Sequence, residues 1–121
     1  MIRIVVGGQI DKRRIADIIE KIGGSNVTVE VKSDIEAAMA IKTNKADYYF
    51  GACNTGGGGA LAMAIALLGM PLCATVSMPG NIKSDEEIIK EIESGKKAFG
   101  FTPQHAEQVI PVIMNKILKN K

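Results

Sequence analysis

The amino-acid sequence predicts a three-layer α/β domain over residues 1–121, a five-stranded parallel sheet with helices on both faces. Five short apolar runs rich in Val, Ile, Tyr and Phe alternate with five segments of helical periodicity. Regular βα alternation of this kind is the mark of a parallel sheet with crossover helices. The composition is that of a folded domain, 46% hydrophobic and 23% charged, and the chain is long enough to bury a core without staples. Aromatic residues make up only 4%, which leaves the core to Ile, Val, Leu, Ala and Met.

Ile2 to Val6 reads as the first strand, ended by Gly7-Gly8. From Asp11 to Ile22, the residues Ile15, Ile18, Ile19 and Ile22 share one helical face, with Asp11 as N-cap and Gly23-Gly24 as the stop. Val27 to Val31 alternates Val, Thr, Val, Glu, Val, as a half-buried edge strand does. Ser33-Asp34-Ile35-Glu36 fits a capping box and opens a helix bearing Ile35, Ala38, Met39 and Ile41, closed by Asn44. Asp34, like Asp11, stands at a helix start, where capping accounts for it. Asp47 to Ala52, with Tyr48, Tyr49 and Phe50, is the third strand.

Ala60 to Leu68 is a helix with no charge on any side. Such a helix is buried all round. Its surface predicts a homo-oligomer joined through it, and close cover by the chain's own elements accounts for it equally well. Leu72 to Met78 is the fourth strand, ended by the turn pair Pro79-Gly80. Ser84 to Glu87 is a second capping box, opening a helix with Ile88, Ile89 and Ile92. Lys97 to Phe101 is the fifth strand. Thr102-Pro103 starts the last helix, which runs toward Leu118 and carries Pro111, a source of a kink or a missing backbone bond.

For five such units a flavodoxin-like or Rossmann-like strand order, 2-1-3-4-5, is expected. Ligands of open parallel sheets bind beyond the carboxyl ends of the strands, where strand order reverses. That point falls between strands one and three. Gly7-Gly8-Gln9 and Cys53-Asn54-Thr55-Gly56-Gly57-Gly58-Gly59 converge there, with Ser77, Pro79 and Gly80 from the neighbouring strand, and with Thr102 and His105 farther off.

Four consecutive glycines, Gly56 to Gly59, strip the side chains from a strand-to-helix turn. Backbone N–H groups then face a ligand, an anion approaches the peptide planes closely, and the helix dipole adds to the attraction. A small phosphate or carboxylate is the natural guest. A tight packing turn is the other explanation, and it needs one glycine rather than four. No GK[ST] follows, which sets aside a nucleotide P-loop, and a dinucleotide fingerprint belongs after the first strand.

Cys53 precedes a helix N-terminus, where a thiol pKa falls and a base or nucleophile is favoured. A small buried residue in a crowded turn fits the position as well. Asn54 and Thr55 are placed to hydrogen-bond a substrate hydroxyl or an oxyanion, or to shape the turn and cap the helix. His105, in the first turn of the last helix, offers a neutral imidazole for acid/base work, or is an ordinary surface histidine. Cys53 and Thr55 are thus the candidate catalytic residues. Gly8, Gln9, Asn54, Gly56, Gly57, Gly58, Gly59, Gly80 and His105 are the candidate ligand-binding set.

The charge balance, 15 basic against 13 acidic residues for a net +2, leaves no nucleic-acid footprint, and there is no Trp for stacking bases. The two cysteines form no CxxC pair, and a single His completes no metal cluster, so neither metal nor cofactor is expected. Two thiols in an apolar chain and a strand-like start without a signal peptide suggest the cytoplasm. The longest apolar stretch, Ala60 to Val76, is broken by Gly69 and Pro71 and is too short for a membrane span.

The segment from Ala46 to Gly56, with Asp34-Ile35-Glu36-Ala37-Ala38-Met39 before it and Pro79-Gly80 and Ala98-Phe99-Gly100-Phe101 after it, resembles the bacterial YhfU-like family over nearly the whole chain. That family is a domain of unknown function, so the resemblance implies a bacterial cytoplasmic protein and names no activity. More distantly, a strand followed by Cys53-x-Thr55-Gly56-x-Gly58 and an Ala-rich helix is similar to the type B ribose-5-phosphate isomerase family. There the matching Cys is the base of aldose–ketose isomerisation, and the glycine turn holds the enediolate oxygens. Carried over, Cys53 is the base, and Thr55 with the amides of Gly56 to Gly59 forms the anion hole. The chain departs from that pattern at Asn54, where the family has Gly, and at Gly7-Gly8-Gln9, where it has an Asp-His pair. The family's phosphate-binding arginines and ring-opening His find no counterparts in the sequence.

The resulting expectation is a small anionic, sugar-phosphate-like metabolite bound at Cys53–Gly59, with isomerisation or proton transfer beside a carbonyl as the chemistry. Two rivals remain open. One is a non-catalytic ligand-binding or regulatory subunit. The other is a phosphoryl carrier of a sugar-transport system, which would place its Cys after the first strand, where this chain has Gly7-Gly8.

Overall fold

The computed structural model describes residues 1–54 and 57–120, with the backbone alone at 57–60. In chain order the elements are β1 (Ile2–Gly8), α1 (Lys12–Gly23), β2 (Val27–Val31), α2 (Asp34–Lys42), β3 (Tyr48–Ala52) and α3 (Gly57–Leu68). Then follow β4 (Cys73–Thr75), β5 (Ser77–Met78), β6 (Asn81–Ile82), α4 (Asp85–Glu93), β7 (Ala98–Phe101) and α5 (Ala106–Lys119).

Local chemistry sets most of the boundaries. Ser33 Oγ accepts from Glu36 N at 3.2 Å and donates to Glu36 Oε1 at 2.8 Å, and Ser84 closes a complete capping box with Glu87. Asp11 differs from the expectation. It stands at the N-cap of α1 in left-handed geometry, its side chain makes no cap bond, and its carboxylate faces Arg14 at 3.5 Å instead. Pro103–His105 forms a separate 3-10 turn, so α5 starts only at Ala106 and Pro111 lies inside it. The carbonyl that Pro111 leaves without a helical donor is that of Glu107, an exposed residue.

The main sheet is parallel, in the order β2-β1-β3-β7-β4, and β5 pairs with β6 as a separate antiparallel hairpin. A five-stranded parallel sheet with helices on both faces is therefore present. The expected 2-1-3-4-5 order is corrected, because the last two strands exchange places. All four residues of β7 (Ala98, Phe99, Gly100 and Phe101) are buried, and such a strand needs a neighbour on each edge. The expected fourth strand, 72–78, shrinks to the three residues Cys73–Thr75 before the chain turns away into the hairpin. Short strands of this kind suit a sheet edge.

The two faces carry different cores. One is built of branched chains from α1, α4 and α5, with Ile15, Ile19, Ile88, Ile92, Ile110 and Ile113 packed on Ile4, Val6, Phe50 and Phe99. The other is built largely of small residues, with Ala37, Ala38, Ala40 and Ile41 of α2 and Leu61 and Ala64 of α3 on Val5, Tyr49, Cys73 and Ala98. The all-round burial expected of the uncharged helix is not reached within one chain. Leu61 and Ala64 of α3 are buried, Met63 and Ile65 are half-buried, and Ala62 and Ala66 are exposed. Among the described residues no helix is long and apolar enough to cross a membrane.

The small-residue face packs very closely at Gly7. A Cβ there would stand 2.7 Å from Tyr49 Cε2 and 2.9 Å from Ala37 Cβ. Gly7→Ala is expected to lower stability by about 1–3 kcal/mol through overpacking, read as a reduced urea midpoint at constant m-value. An unchanged midpoint would refute the close fit of α2 and Tyr49 on β1.

Candidate functional site

The chain leaves β1 toward α1 on one face of the sheet and leaves β3 toward α3 on the other. Their divergence marks the point in a parallel sheet where ligands bind. Gly8 shapes it, with φ 76° and no room for a side chain, because a Cβ would lie 2.6 Å from Ala52 N. Gln9, exposed, donates its backbone N–H to Ala52 O at 3.0 Å. Cys53 is buried at 3% exposure, and its N–H donates to Phe101 O at 3.2 Å. Asn54 is exposed at the turn.

Thr55 and Gly56 lie outside the described residues, whereas Gly57, Gly58 and Gly59 form the first turn of α3 rather than a loop. Because β7 and not β4 adjoins β3, Thr102 comes next to Cys53 instead of farther away, and His105 follows it at the end of the Pro103–His105 turn. Gly80 sits at the exposed tip of the β5–β6 hairpin, beyond β7 from Cys53.

Asp34 has a role other than capping. Ser33 caps α2, which leaves the Asp34 carboxylate to accept from Gly8 N at 3.2 Å and from the Tyr49 hydroxyl through a short hydrogen bond. The Tyr49 ring lies flat along β3. A Cβ on Gly51 would meet Tyr49 Oη at 2.8 Å. Burial first, and then the bond to Asp34, push the Tyr49 phenol well above the ordinary tyrosine range. The sequence holds no local signal for this trio, since its members are brought together only by the sheet.

A cleft of about 270 Å³ opens at the same carboxyl edge, lined by Ile10, Asp11, Arg14, Asn54, Pro103 and Gln104. Its cation is Arg14. The guanidinium Nη1 donates to Pro103 O at 3.2 Å and faces Asp11 at 3.5 Å, while Nη2 pairs with Glu107 at 3.3 Å. The sequence reading missed this arginine because it lies on an exposed helical stretch among other charges. A cleft of similar size, about 280 Å³, lies at the opposite edge against Ile2, Asp47 and Lys97. There Asp47 is engaged by Arg3 at 2.9 Å, and none of the candidate residues is near, so position and chemistry rather than size distinguish the two. Cys73 lies buried under α3, and burial pushes its thiol up, as suits a packing residue. Among the described residues no cluster of His, Cys, Asp and Glu is arranged to hold a metal ion.

The Tyr49 shift has a measurable sign. Below about pH 10 the phenol is neutral in both folded and unfolded chains. Above it the unfolded chain loses the proton while the folded chain keeps it, so stability falls as pH rises beyond the ordinary tyrosine value. Denaturant titrations at alkaline pH should show that fall. Tyr49→Phe should flatten most of it, leaving the smaller part from Tyr48, which burial also raises. Identical slopes in the two proteins would contradict a buried, neutral Tyr49.

Known proteins share this architecture. The crystal structure of ribose-5-phosphate isomerase B RpiB from Giardia lamblia matches with a TM-score of 0.71 at 14% identity, over 97% of this chain and 94% of that one. Ribose-5-phosphate isomerase B of Clostridium thermocellum matches with a TM-score of 0.63 at 19% identity, over 98% and 84%. At such identities the likeness is one of fold. In sequence, the uncharacterized protein YhfU of Escherichia coli K12 is 42% identical over 115 residues, 95% of this chain and 97% of that protein, and YhfU of Shigella flexneri is equally similar. The family described as protein of unknown function DUF2620 matches residues 2–117, and the chain belongs to that family.

Proposed function

We propose that the protein binds a small anionic, sugar-phosphate-like metabolite over the carboxyl edge of β1, β3 and β7, and that Cys53 acts on it as a base in aldose–ketose isomerisation or a related proton transfer beside a carbonyl. The observation that carries this reading is a convergence at the β1/β3 divergence. Cys53, the glycine-built first turn of α3 and the Arg14–Asn54 cleft meet at one edge. The fold shared with two proteins named ribose-5-phosphate isomerase B supports sugar phosphates as the ligand class.

In this reading Cys53 Sγ, as the base, takes the proton from the hydroxyl-bearing carbon next to the carbonyl. The electron pair moves onto the carbonyl oxygen, the proton of the neighbouring hydroxyl passes to that oxygen, and the proton held by Cys53 returns to the former carbonyl carbon. The Thr55 hydroxyl and the amides of Gly56 to Gly59 hold the oxygen on which charge develops. Arg14 takes the phosphate, which replaces the paired carboxylates of Asp11 and Glu107 around the guanidinium. Gly8, Gln9, Asn54 and His105 line the path of the carbon chain, with Gly80 on the outer rim. Calorimetry and turnover assays with ribose 5-phosphate test this. Cys53→Ala should retain binding and lose turnover by roughly 10²–10⁴-fold, and Arg14→Ala should weaken binding by roughly tenfold or more. Binding without turnover in the wild type would instead favour a ligand-binding subunit.

The same proposal includes a homo-oligomer joined through α3. Its exposed Ala62 and Ala66, beside half-buried Met63 and Ile65, leave an uncharged face with little bulk, against which a second helix packs closely. Light scattering should report an oligomer for the wild type and a monomer for Ala66→Glu. A wild type that is monomeric at every concentration would remove this part.

A further inference from the structure

Side chains of a parallel sheet project to one face at every second residue. On the α2/α3 face, Val5, Tyr49, Ala98 and Cys73 form one row across the sheet. Gly7, Gly51 and Gly100 are aligned in the next row toward the carboxyl edge. One step further, the register Ala52↔Phe101 sets Cys53 beside Thr102, and Cys53 N is bonded to Phe101 O. Neighbouring strands lie about 4.8 Å apart, so a ligand atom that touches the Cys53 thiol is within reach of the Thr102 side chain.

Thr102 is 4% exposed, and its Oγ1 has no hydrogen-bond partner. The rest of the residue is held. Its N–H donates to Ser77 Oγ at 3.0 Å, and its carbonyl accepts from His105 N at 2.9 Å. It stands at the N-cap of the Pro103–His105 turn, yet its hydroxyl makes no cap bond. A buried hydroxyl without a partner costs free energy that a valine of the same shape would avoid. One turn on, the half-buried His105 presents a second buried atom without a partner, Nδ1.

We infer that Thr102 and His105 are ligand-contacting residues, and that their unpaired atoms bind the hydroxyl and carbonyl oxygens of the ligand's carbon chain beside Cys53. The inference rests on the proposed site and specifies its substrate class as a polyhydroxylated carbonyl compound. The Thr102 hydroxyl and the His105 ring nitrogen each have a hydrogen bond to exchange with a sugar oxygen. The phosphate falls to Arg14, whose partners Pro103 and Glu107 lie within and just beyond this pair in sequence. Ser77 is a positioning residue, since it fixes the Thr102 backbone.

The experiment compares wild type with Thr102→Val, Thr102→Ala and Thr102→Ser. It measures melting temperature without ligand and affinity for ribose 5-phosphate, ribose and inorganic phosphate. Thr102→Val should melt no lower than wild type, because no internal bond is lost. It should bind ribose 5-phosphate at least about tenfold more weakly, with affinity for inorganic phosphate unchanged. Thr102→Ser should restore binding, and the alanine variant gives the same comparison should valine prevent folding. Wild-type affinity for ribose 5-phosphate in both the valine and alanine variants overturns this inference alone. So does a valine variant that folds but melts well below wild type, which would show the hydroxyl to be bonded within the protein. A wild type that binds ribose but neither phosphate compound overturns the phosphate reading, and the valine variant then decides the inference on ribose. No response of the wild type to any probe overturns both.

Discussion

Three glycines in one register row across the central strands, Gly7, Gly51 and Gly100, govern how this molecule is put together. With no side chains in that row, the Tyr49 ring lies down along the sheet, and its hydroxyl reaches Asp34 at the start of α2. The same carboxylate holds the Gly8 amide. One tyrosine thus ties together the last residues of β1, the middle of β3 and the first turn of α2, in a place where a Cβ would force the elements apart. The neutral state of the phenol follows from this burial rather than from a separate cause.

The two sides of the sheet answer different demands. The face under α1, α4 and α5 is filled with isoleucine and phenylalanine, which supply most of the apolar bulk taken from water. The face under α2 and α3 is paved with alanine, glycine and one tyrosine, so its helices approach the backbone closely. Close approach brings the first turn of α3 over the carboxyl edge of β3 and β7. It also leaves α3 with little side-chain bulk to cover its own outer surface, which is why Ala62 and Ala66 remain exposed.

Polar groups gather where the regular pairing of the sheet ends. Along the shared edge of β3 and β7 stand a buried thiol and a buried hydroxyl, followed in sequence by Asn54 and Pro103 on the rim of the Arg14 cleft. Among the described residues, the buried side-chain atoms left without partners are Thr102 Oγ1 and His105 Nδ1. Exceptions to hydrogen-bond satisfaction carry information when they fall together, and these two fall on one turn.

The sequence by itself determined what depends on neighbours within a turn or a strand. Isoleucine spacing delimited α1 and α4, Ser33 and Ser84 announced their helices through Glu36 and Glu87, alternation marked β2, and a cysteine before four glycines marked a candidate site. Only the tertiary structure decided the order of the last two strands, the pairing of Asp34 with Tyr49, and the arrival of Thr102 beside Cys53 and of Arg14 beside Asn54. The physical reason is that each of these depends on which elements the whole fold sets side by side. The buried run from Ala98 to Phe101 competes for the middle of the sheet with the three residues from Cys73 to Thr75, and that competition is settled by burial summed over the whole fold. Local periodicity records that a strand exists; it does not record which strand lies beside it.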